Sequence, residues 1–202
     1  MTQKPDWMVP QGQPWTVVGE RAVYDNPWLA VAEYDAVAPT GQATLYGVVR
    51  FKNLALTILP LHADGTITLV GQHRFAIPGY SWELPEGGGP VGGDPLESAR
   101  RELREEAGLE AAEWRQVLKF QLSNSVTDEA GYGFIATDLT PAPAAPDETE
   151  ALALARAPFC EVLDQALAGN ILDMPTVALL LRAYHMAREG ALPDALAKAM
   201  LN

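Results

Sequence analysis

Residues 87–109, GGGPVGGDPLESARRELREEAGL, set a glycine-rich stretch directly before a short helix. The helix start is well specified. Asp94 fits the N-cap, Pro95 the first helical position, and Glu97, three residues after the cap, completes a capping-box-like pattern. Gly108 supplies the stop. At about 100° per residue, Leu96, Ala99, Leu103 and Ala107 form an apolar stripe with Glu102, Glu105 and Glu106 beside it, while Arg100, Arg101 and Arg104 take the remaining face. Residues spaced i, i+3 and i+4 project from one side of a helix, so the three carboxylates are expected to converge on a patch small enough to hold divalent cations. Glycines 87, 88 and 89 read as a loop in which the backbone approaches closely.

Working outward, the stretch sits inside a β-rich chain. Before it, ALTILPL (55–61) and TITLVGQHRF (66–75) flank Asp64-Gly65, a dipeptide suited to a tight hairpin turn. The first run is nearly all apolar, as in a strand covered on both faces. Three further β-leaning stretches, 15–24, 28–34 and 44–51, are separated by turn signals at Asp25-Asn26-Pro27 and Pro39-Thr40-Gly41 and predict a small antiparallel sheet. After the helix, strands are expected at 114–122, 132–138 and 151–156. Helices follow at 159–168 and 175–188, the latter with Val177, Leu180, Leu181 and Tyr184 at helical spacing, and at 194–201. The segment TPAPAAPDETE, 140–150, breaks the pattern: its prolines prevent ladder pairing and its acids suit an exposed connection.

The 202 residues suffice for one main domain and an appendage, divided here into 1–52, a β-rich element, and 53–202. With 48% hydrophobic and 20% charged residues the composition is that of a globular protein. Twenty-six acidic against 14 basic residues give a net charge of -12, which repels a nucleic-acid backbone. A phosphorylated small molecule is still compatible, because divalent cations neutralise both sides. Cys160 is the sole cysteine, which excludes an intrachain disulfide and a cysteine cage. The N-terminus has no signal-like apolar run and no segment approaches the roughly 20 apolar residues of a membrane span, so the expectation is a cytoplasmic protein with no membrane partner.

The central segment resembles the Nudix box, whose pattern is Gly, five residues, Glu, seven residues, then Arg-Glu-apolar-x-Glu-Glu-x-Gly-apolar. Gly87, Arg101-Glu102-Leu103 and Glu105-Glu106-x-Gly108-Leu109 match it, while Gly93 stands where the family carries its first glutamate. The resemblance extends to QHRF (72–75), WELPEGG (82–88) and ILDMPTVALLL (171–181), which together are similar to the ADP-ribose and nucleoside diphosphate sugar pyrophosphatase branch. It implies an α/β fold, the Nudix α/β/α sandwich with a mixed sheet plus a small N-terminal antiparallel β element. It also implies Mg2+, or Mn2+ in its place, as cofactor and a nucleoside diphosphate sugar as substrate. A homodimer through residues 14–52 follows from the same branch.

Residue by residue, the resemblance makes Glu102 and Glu106 metal ligands, Glu105 a further ligand or a supporting catalytic group, the Glu86 carbonyl a backbone ligand, and Arg101 the group that orients the carboxylates. In the acidic loop Glu148 takes the place of the general base and Glu150 that of a late metal contact, with Asp147 a competitor. Arg74 is either a phosphate-binding group or a surface salt bridge. Asp128 and Glu129 suit substrate contact or loop capping, and His62, His73 and His185 show no metal-ligand grouping. Where ADP-ribose hydrolases of the branch often carry a proline after the box, this chain has Asn124, which leaves other nucleoside diphosphate sugars open. A different diphosphate substrate, such as a dinucleoside polyphosphate or an oxidised nucleotide, is the alternative within enzymes. A nucleotide-sugar-binding module without turnover is the alternative outside them.

Overall fold

The computed structural model describes residues 4–144 and 151–202. The described residues of Met1–Lys52 and Ser123–Asp128 form one compact unit, and those of Asn53–Leu122 and Glu129–Asn202 another. Glu148, Glu150 and Asp147 lie outside the described residues.

In the first unit β1 (Thr16–Asp25), β2 (Leu29–Val37) and β3 (Ala43–Phe51) form an antiparallel meander. Both turns use the expected residues. The Asn26 side-chain oxygen accepts the N–H groups of Trp28 and Leu29, each at 2.8 Å, while Gly41 adopts φ 87° and donates to Ala38 O at 2.8 Å. Residues 123–128, which the sequence divides off with the second unit, belong here. Val49 N–H donates to Val126 O at 2.8 Å, and the Asp128 carboxylate accepts from Phe51 N–H at 2.9 Å and from Arg50 at 3.1 Å. Asp128 is therefore a loop-capping residue. A run of polar residues carries no periodic signal to reveal such a docking.

The second unit contains a mixed sheet in the order β7-β4-β9-β8, formed by β4 (Asn53–Pro60), β7 (Glu86–Pro90), β8 (Leu109–Gln121) and β9 (Ala130–Pro141). Strands β4 and β9 run parallel, the outer pairings antiparallel. A three-stranded antiparallel sheet has the order β10-β5-β6, from β5 (Thr66–Arg74), β6 (Gly79–Glu83) and β10 (Ala153–Pro158). The helices are α1 (Pro95–Ala107), α2 (Phe159–Leu167), α3 (Met174–Arg188) and α4 (Asp194–Leu201).

Strand β4 explains the layering, because successive side chains of a strand point to opposite faces. Leu56 and Ile58, with Phe134 and Ala136 of β9, pack against Ala99, Leu103 and Ala107 of α1. Leu59, Leu61 and Ile135 face the opposite way, into a core shared with α2, α3, α4 and the second sheet. A fully buried leucine side chain contributes roughly 2 kcal/mol, so Leu103, with no exposed surface, does much to fix α1 on the sheet.

Three expectations are corrected. Residues 87–89 are not a loop but the middle of strand β7, preceded by an unanticipated β6; glycines offer no side-chain alternation to read, and the strand exists because its backbone pairs with the edge of β4. The turn at Asp64-Gly65 forms, with Gly65 at φ 82° and His62 N–H donating to Thr66 O at 2.9 Å, but the flanking strands meet only at Leu61 and Ile67 before parting into different sheets. On α3 the buried stripe is Leu179, Leu180, Ala183, Met186 and Ala187, while Leu181 and Tyr184 are exposed. An apolar run as continuous as VALLL fits several helical faces, and packing alone selects one.

Candidate active site

Helix α1 takes its start and stop from the expected Asp94, Pro95 and Gly108, whereas Glu97, expected as the capping-box partner, is turned to Arg100. Asp94 accepts from Leu96 N–H at 2.9 Å, Pro95 opens the first turn, and Gly108 closes the helix at φ 60° with its N–H on Arg104 O at 3.1 Å. Glu97 pairs with Arg100 at 3.6 Å, an exposed contact of little energetic weight. Gly93 donates its N–H to Pro90 O at 2.9 Å, closing a turn in which Gly92 has φ 87°.

The helix lies directly on β7. A Cβ at Gly87 would come within 2.0 Å of the Glu102 carboxyl carbon and one at Gly89 within 2.5 Å of Ser98 Oγ, whereas one at Gly88 would meet only Asn53 at 3.5 Å. Alternation explains the difference: Gly87 and Gly89 face α1, and Gly88 faces away. The missing side chains let strand backbone reach helix carboxylates. Gly88 N–H donates to Glu102 Oε1 at 3.1 Å, and Glu86 N–H donates to Glu106 Oε2 at 2.8 Å.

Glu102 and Glu106 are thereby buried, at 8% and 7% exposure, on a helix made rigid by its own packing. Arg101, placed by the helical wheel on the outer face, bends back over them. It donates to Glu102 at 2.6 Å, to Gly88 O at 2.8 Å and to Glu105 at 2.5 Å. Glu105 is set apart, half-buried and turned toward that guanidinium. Burial raises the Glu102 pKa; the charge of Arg101 and the Gly88 N–H oppose the shift without cancelling it.

Strand alternation sends the Glu86 side chain to the α3 side of the sheet. There Glu86 Oε1 accepts from Thr57 at 3.1 Å and from Thr176 at 3.3 Å. Burial first, then the charge and hydrogen bond of Asp173 and the charge of Glu83, push this carboxyl well above the ordinary carboxylate range. Asp173 caps α3, accepting from Thr176 N–H at 2.8 Å. Glu83, 3% exposed, is held by two hydrogen bonds from Arg74, one at 3.1 Å from Nε. Arg74 is thus half of a salt bridge whose other half is buried.

Glu83, Asp173, Thr57 and Thr176 have no part in the sequence-based site. The available signals are the pairing of two acids around Leu84-Pro85 and the Asp-x-Pro-Thr helix start at 173–176. The histidines stay outside: His62 bonds Thr68 at 2.9 Å, and His73 packs edge-on against Tyr80 with ring centres 4.9 Å apart. A cleft of about 1000 Å³, lined by His62, Trp114, Arg115, Asp138 and Arg156 among others, includes none of the glutamates of α1.

The donor set suits a hard cation. Two buried carboxylates on adjacent turns of one helix offer oxygen ligands in fixed positions. Among the described residues no three His, Cys, Asp or Glu side chains form a metal-holding group, so the expected convergence of all three carboxylates of α1 is corrected to the pair Glu102 and Glu106, with Glu105 turned to Arg101. Mg2+ is commonly bound through one or two carboxylates, with waters and phosphate oxygens completing its shell.

Residues 52–173 match the NUDIX domain. An ADP-ribose pyrophosphatase of Mycobacterium tuberculosis is 32% identical over 139 residues, 67% of this chain and 67% of that protein. A CMP-5'-(N-acetyl-N-hydroxy-3-aminopropyl)phosphonate hydrolase of Streptomyces rubellomurinus is 30% identical over 122 residues, 60% of this chain and 59% of that protein. The crystal structure of an ADP compounds hydrolase superposes with a TM-score of 0.80 at 22% identity, over 91% of this chain and 100% of that one, and shares the fold. A domain match over more than half the chain, carried on the helix and strand that present Glu102 and Glu106, establishes that the chain belongs to the Nudix family.

Proposed function

We propose that the protein is a Nudix hydrolase that uses Mg2+ to cleave the pyrophosphate link of a nucleoside diphosphate sugar, ADP-ribose or a similar compound, into a nucleoside monophosphate and a sugar phosphate. The observation that carries this reading is the pair of buried carboxylates, Glu102 and Glu106, each tied to a backbone N–H of β7. The relatives support the substrate class: the Mycobacterium tuberculosis protein is an ADP-ribose pyrophosphatase by name, and the Streptomyces protein is by name a hydrolase of a CMP-linked phosphonate.

In this reading Glu102 and Glu106 hold the cation with the Glu86 carbonyl, and Glu105 is an outer contact. When bound, the cation polarises phosphoryl oxygens and lowers the pKa of water. Arg101 keeps the Glu102 and Glu105 carboxylates oriented and limits their mutual repulsion. Arg74 is assigned to neutralising Glu83 in preference to binding phosphate, because removing it would strand a buried carboxylate. Glu148 is assigned as general base and Glu150 as a further cation contact, on the sequence resemblance of the acidic loop; a carboxylate on a loop can close after substrate enters.

Assembly as a homodimer through the N-terminal β element is part of the proposal. Val17, Val18, Val23 and Tyr24 of β1 with Trp28 and Leu45 are all more than half exposed, an apolar surface of the kind that marks a protein contact. Among the described residues no helix is long and apolar enough to cross a membrane, and the cytoplasm is the proposed location. A second reading, another nucleoside diphosphate derivative as substrate, is favoured by Asn124 in place of the branch proline. Incubation with a panel of nucleotide sugars and Mg2+, with identification of both products, decides. ADP-ribose or a relative yielding a monophosphate and a sugar phosphate is expected; turnover confined to dinucleoside polyphosphates or nucleoside triphosphates overturns the substrate assignment.

A further inference from the structure

Thr176, in the first turn of α3, has no exposed surface and is nonetheless polar. Its N–H is satisfied by the Asp173 cap, yet its hydroxyl is not spent on its own helix. The hydroxyl crosses to the strand side, accepting from Leu84 N–H at 3.0 Å and donating to Glu86 Oε1 at 3.3 Å. A buried hydroxyl is costly unless it is hydrogen-bonded, and valine would fill the same volume without that requirement. The oxygen therefore has a task at this position beyond filling space.

The backbone it touches is held at several successive polar groups. Leu84 N–H is on Thr176, Pro85 O accepts from Ile58 N–H at 2.9 Å, and the Glu86 carboxyl is held by Thr57, Thr176 and Asp173. The next polar group along is Glu86 N–H, which holds Glu106 Oε2. The 84–86 segment thus meets α3 at Leu84 N–H and at the Glu86 carboxyl, and the carboxylate of α1 at the Glu86 N–H, two peptides apart.

We propose that Thr176 is a positioning residue for the cation-binding carboxylates: its hydroxyl sets the backbone at 84–86 and, through Glu86 N–H, the place of Glu106. This rests on the reading that Glu106 holds the cation. Hydrogen bonds behind a metal ligand act on affinity by fixing the ligand's orientation, and Thr176 acts one link further back, on the backbone whose N–H holds Glu106.

The test uses the full chain with Thr176→Val and Thr176→Ser. Mn2+ binding without substrate is followed by electron paramagnetic resonance, thermal midpoint by circular dichroism, and the cation half-saturation and KM by hydrolysis of ADP-ribose. Thr176→Val is expected to weaken Mn2+ binding about tenfold and to raise the half-saturation concentration in parallel, with KM at saturating cation little changed. Thr176→Ser, which restores the oxygen, is expected to recover most of the loss. Wild-type Mn2+ affinity in Thr176→Val, or a loss that serine does not repair, overturns the proposal. If the valine variant does not fold, Thr176→Ala, which removes the same oxygen from Leu84 N–H and Glu86 with less bulk, is read by the same criteria. A Glu106→Gln variant that binds Mn2+ as tightly as wild type refutes the underlying site and this inference with it, whereas loss in Glu106→Gln without loss in Thr176→Val refutes this inference alone.

Discussion

Replacing Gly87 by alanine separates the fold from the site. The new methyl would lie 2.0 Å from the Glu102 carboxyl carbon and 2.5 Å from its Cγ, so the side chain must retreat from 2.0 Å to the 3.4 Å of ordinary contact, about 1.4 Å. Because the obstacle is the end of a flexible side chain, the strand itself need not break. Lost hydrogen bonds to a charged group cost about 1.5–3 kcal/mol each, and the Gly88 N–H to Glu102 bond is the one exposed to this displacement. Part of that loss is recovered when the carboxylate swings toward solvent, so a fall in stability of about 1–2 kcal/mol is expected. The catalytic consequence is larger, since misplacing a catalytic group by about 1 Å costs on the order of a hundredfold in rate. Gly88→Ala is the matched control, with its methyl 3.5 Å from Asn53. Urea denaturation and Mg2+-dependent hydrolysis of ADP-ribose read the two effects separately. Equal kcat/KM in the Gly87→Ala and Gly88→Ala proteins would refute the claim that β7 is glycine-rich in order to seat Glu102.

Three further outcomes follow from the same geometry. Glu106→Gln keeps the hydrogen bond to Glu86 N–H through its amide oxygen but removes a charge from the cation site; turnover should disappear while the thermal midpoint stays near wild type, and retained activity would contradict the metal role. Glu86→Gln should flatten the pH dependence of stability in cation-free protein. The folded pKa of Glu86 is raised, so the unfolded chain gives up a proton that the native state keeps, and wild-type stability falls as pH rises above the ordinary carboxylate range toward the folded value. Urea midpoints from about pH 5 to about pH 8 should decline less in the variant than in wild type. For the proposed dimer, Val18→Lys, on a residue 71% exposed, should shift sedimentation from dimer to monomer; a wild-type protein that sediments as a monomer, or a coefficient the substitution leaves unchanged, refutes a dimer through this face.

The legible parts of this molecule are those whose cause is local. The start and stop of α1 follow from Asp94, Pro95 and Gly108, and the Glu102 and Glu106 pair follows from helical spacing against the Leu103 stripe. What the sequence hides is long-range: that glycines 87–89 form a strand depends on the edge of β4, and that residues 123–128 dock on β3 depends on Val49 pairing with Val126 and on the Asp128 carboxylate finding the Phe51 N–H. The helical wheel alone puts Arg101 on the outer face, although the family resemblance already gives it as the group that orients the carboxylates. A helical wheel fixes where a side chain leaves the backbone, not where a long one ends, and the guanidinium ends on Gly88 O and Glu102.

The same distinction bears on Glu86, whose two roles come from opposite ends of one residue. Its peptide N–H meets Glu106 on the α1 side, while its carboxyl lies among Thr57, Thr176, Asp173 and Glu83 on the α3 side. An alanine there would present the same peptide to the cation without burying an acid, so peptide chemistry alone gives no reason for glutamate. The reason lies in the far layer: the carboxyl accepts two hydroxyl groups and shares a hydrogen bond with the cap of α3, connecting that helix to the strand that presents the site. A protonated carboxyl can make all of these contacts without a buried charge, which is why its raised pKa and its structural role are one property. Loss of that proton at high pH should loosen the 84–86 backbone before it unfolds the protein, and amide exchange at Leu84 and Glu86 that rises with pH ahead of the surrounding strand amides, after correction for intrinsic rates, is the expected sign.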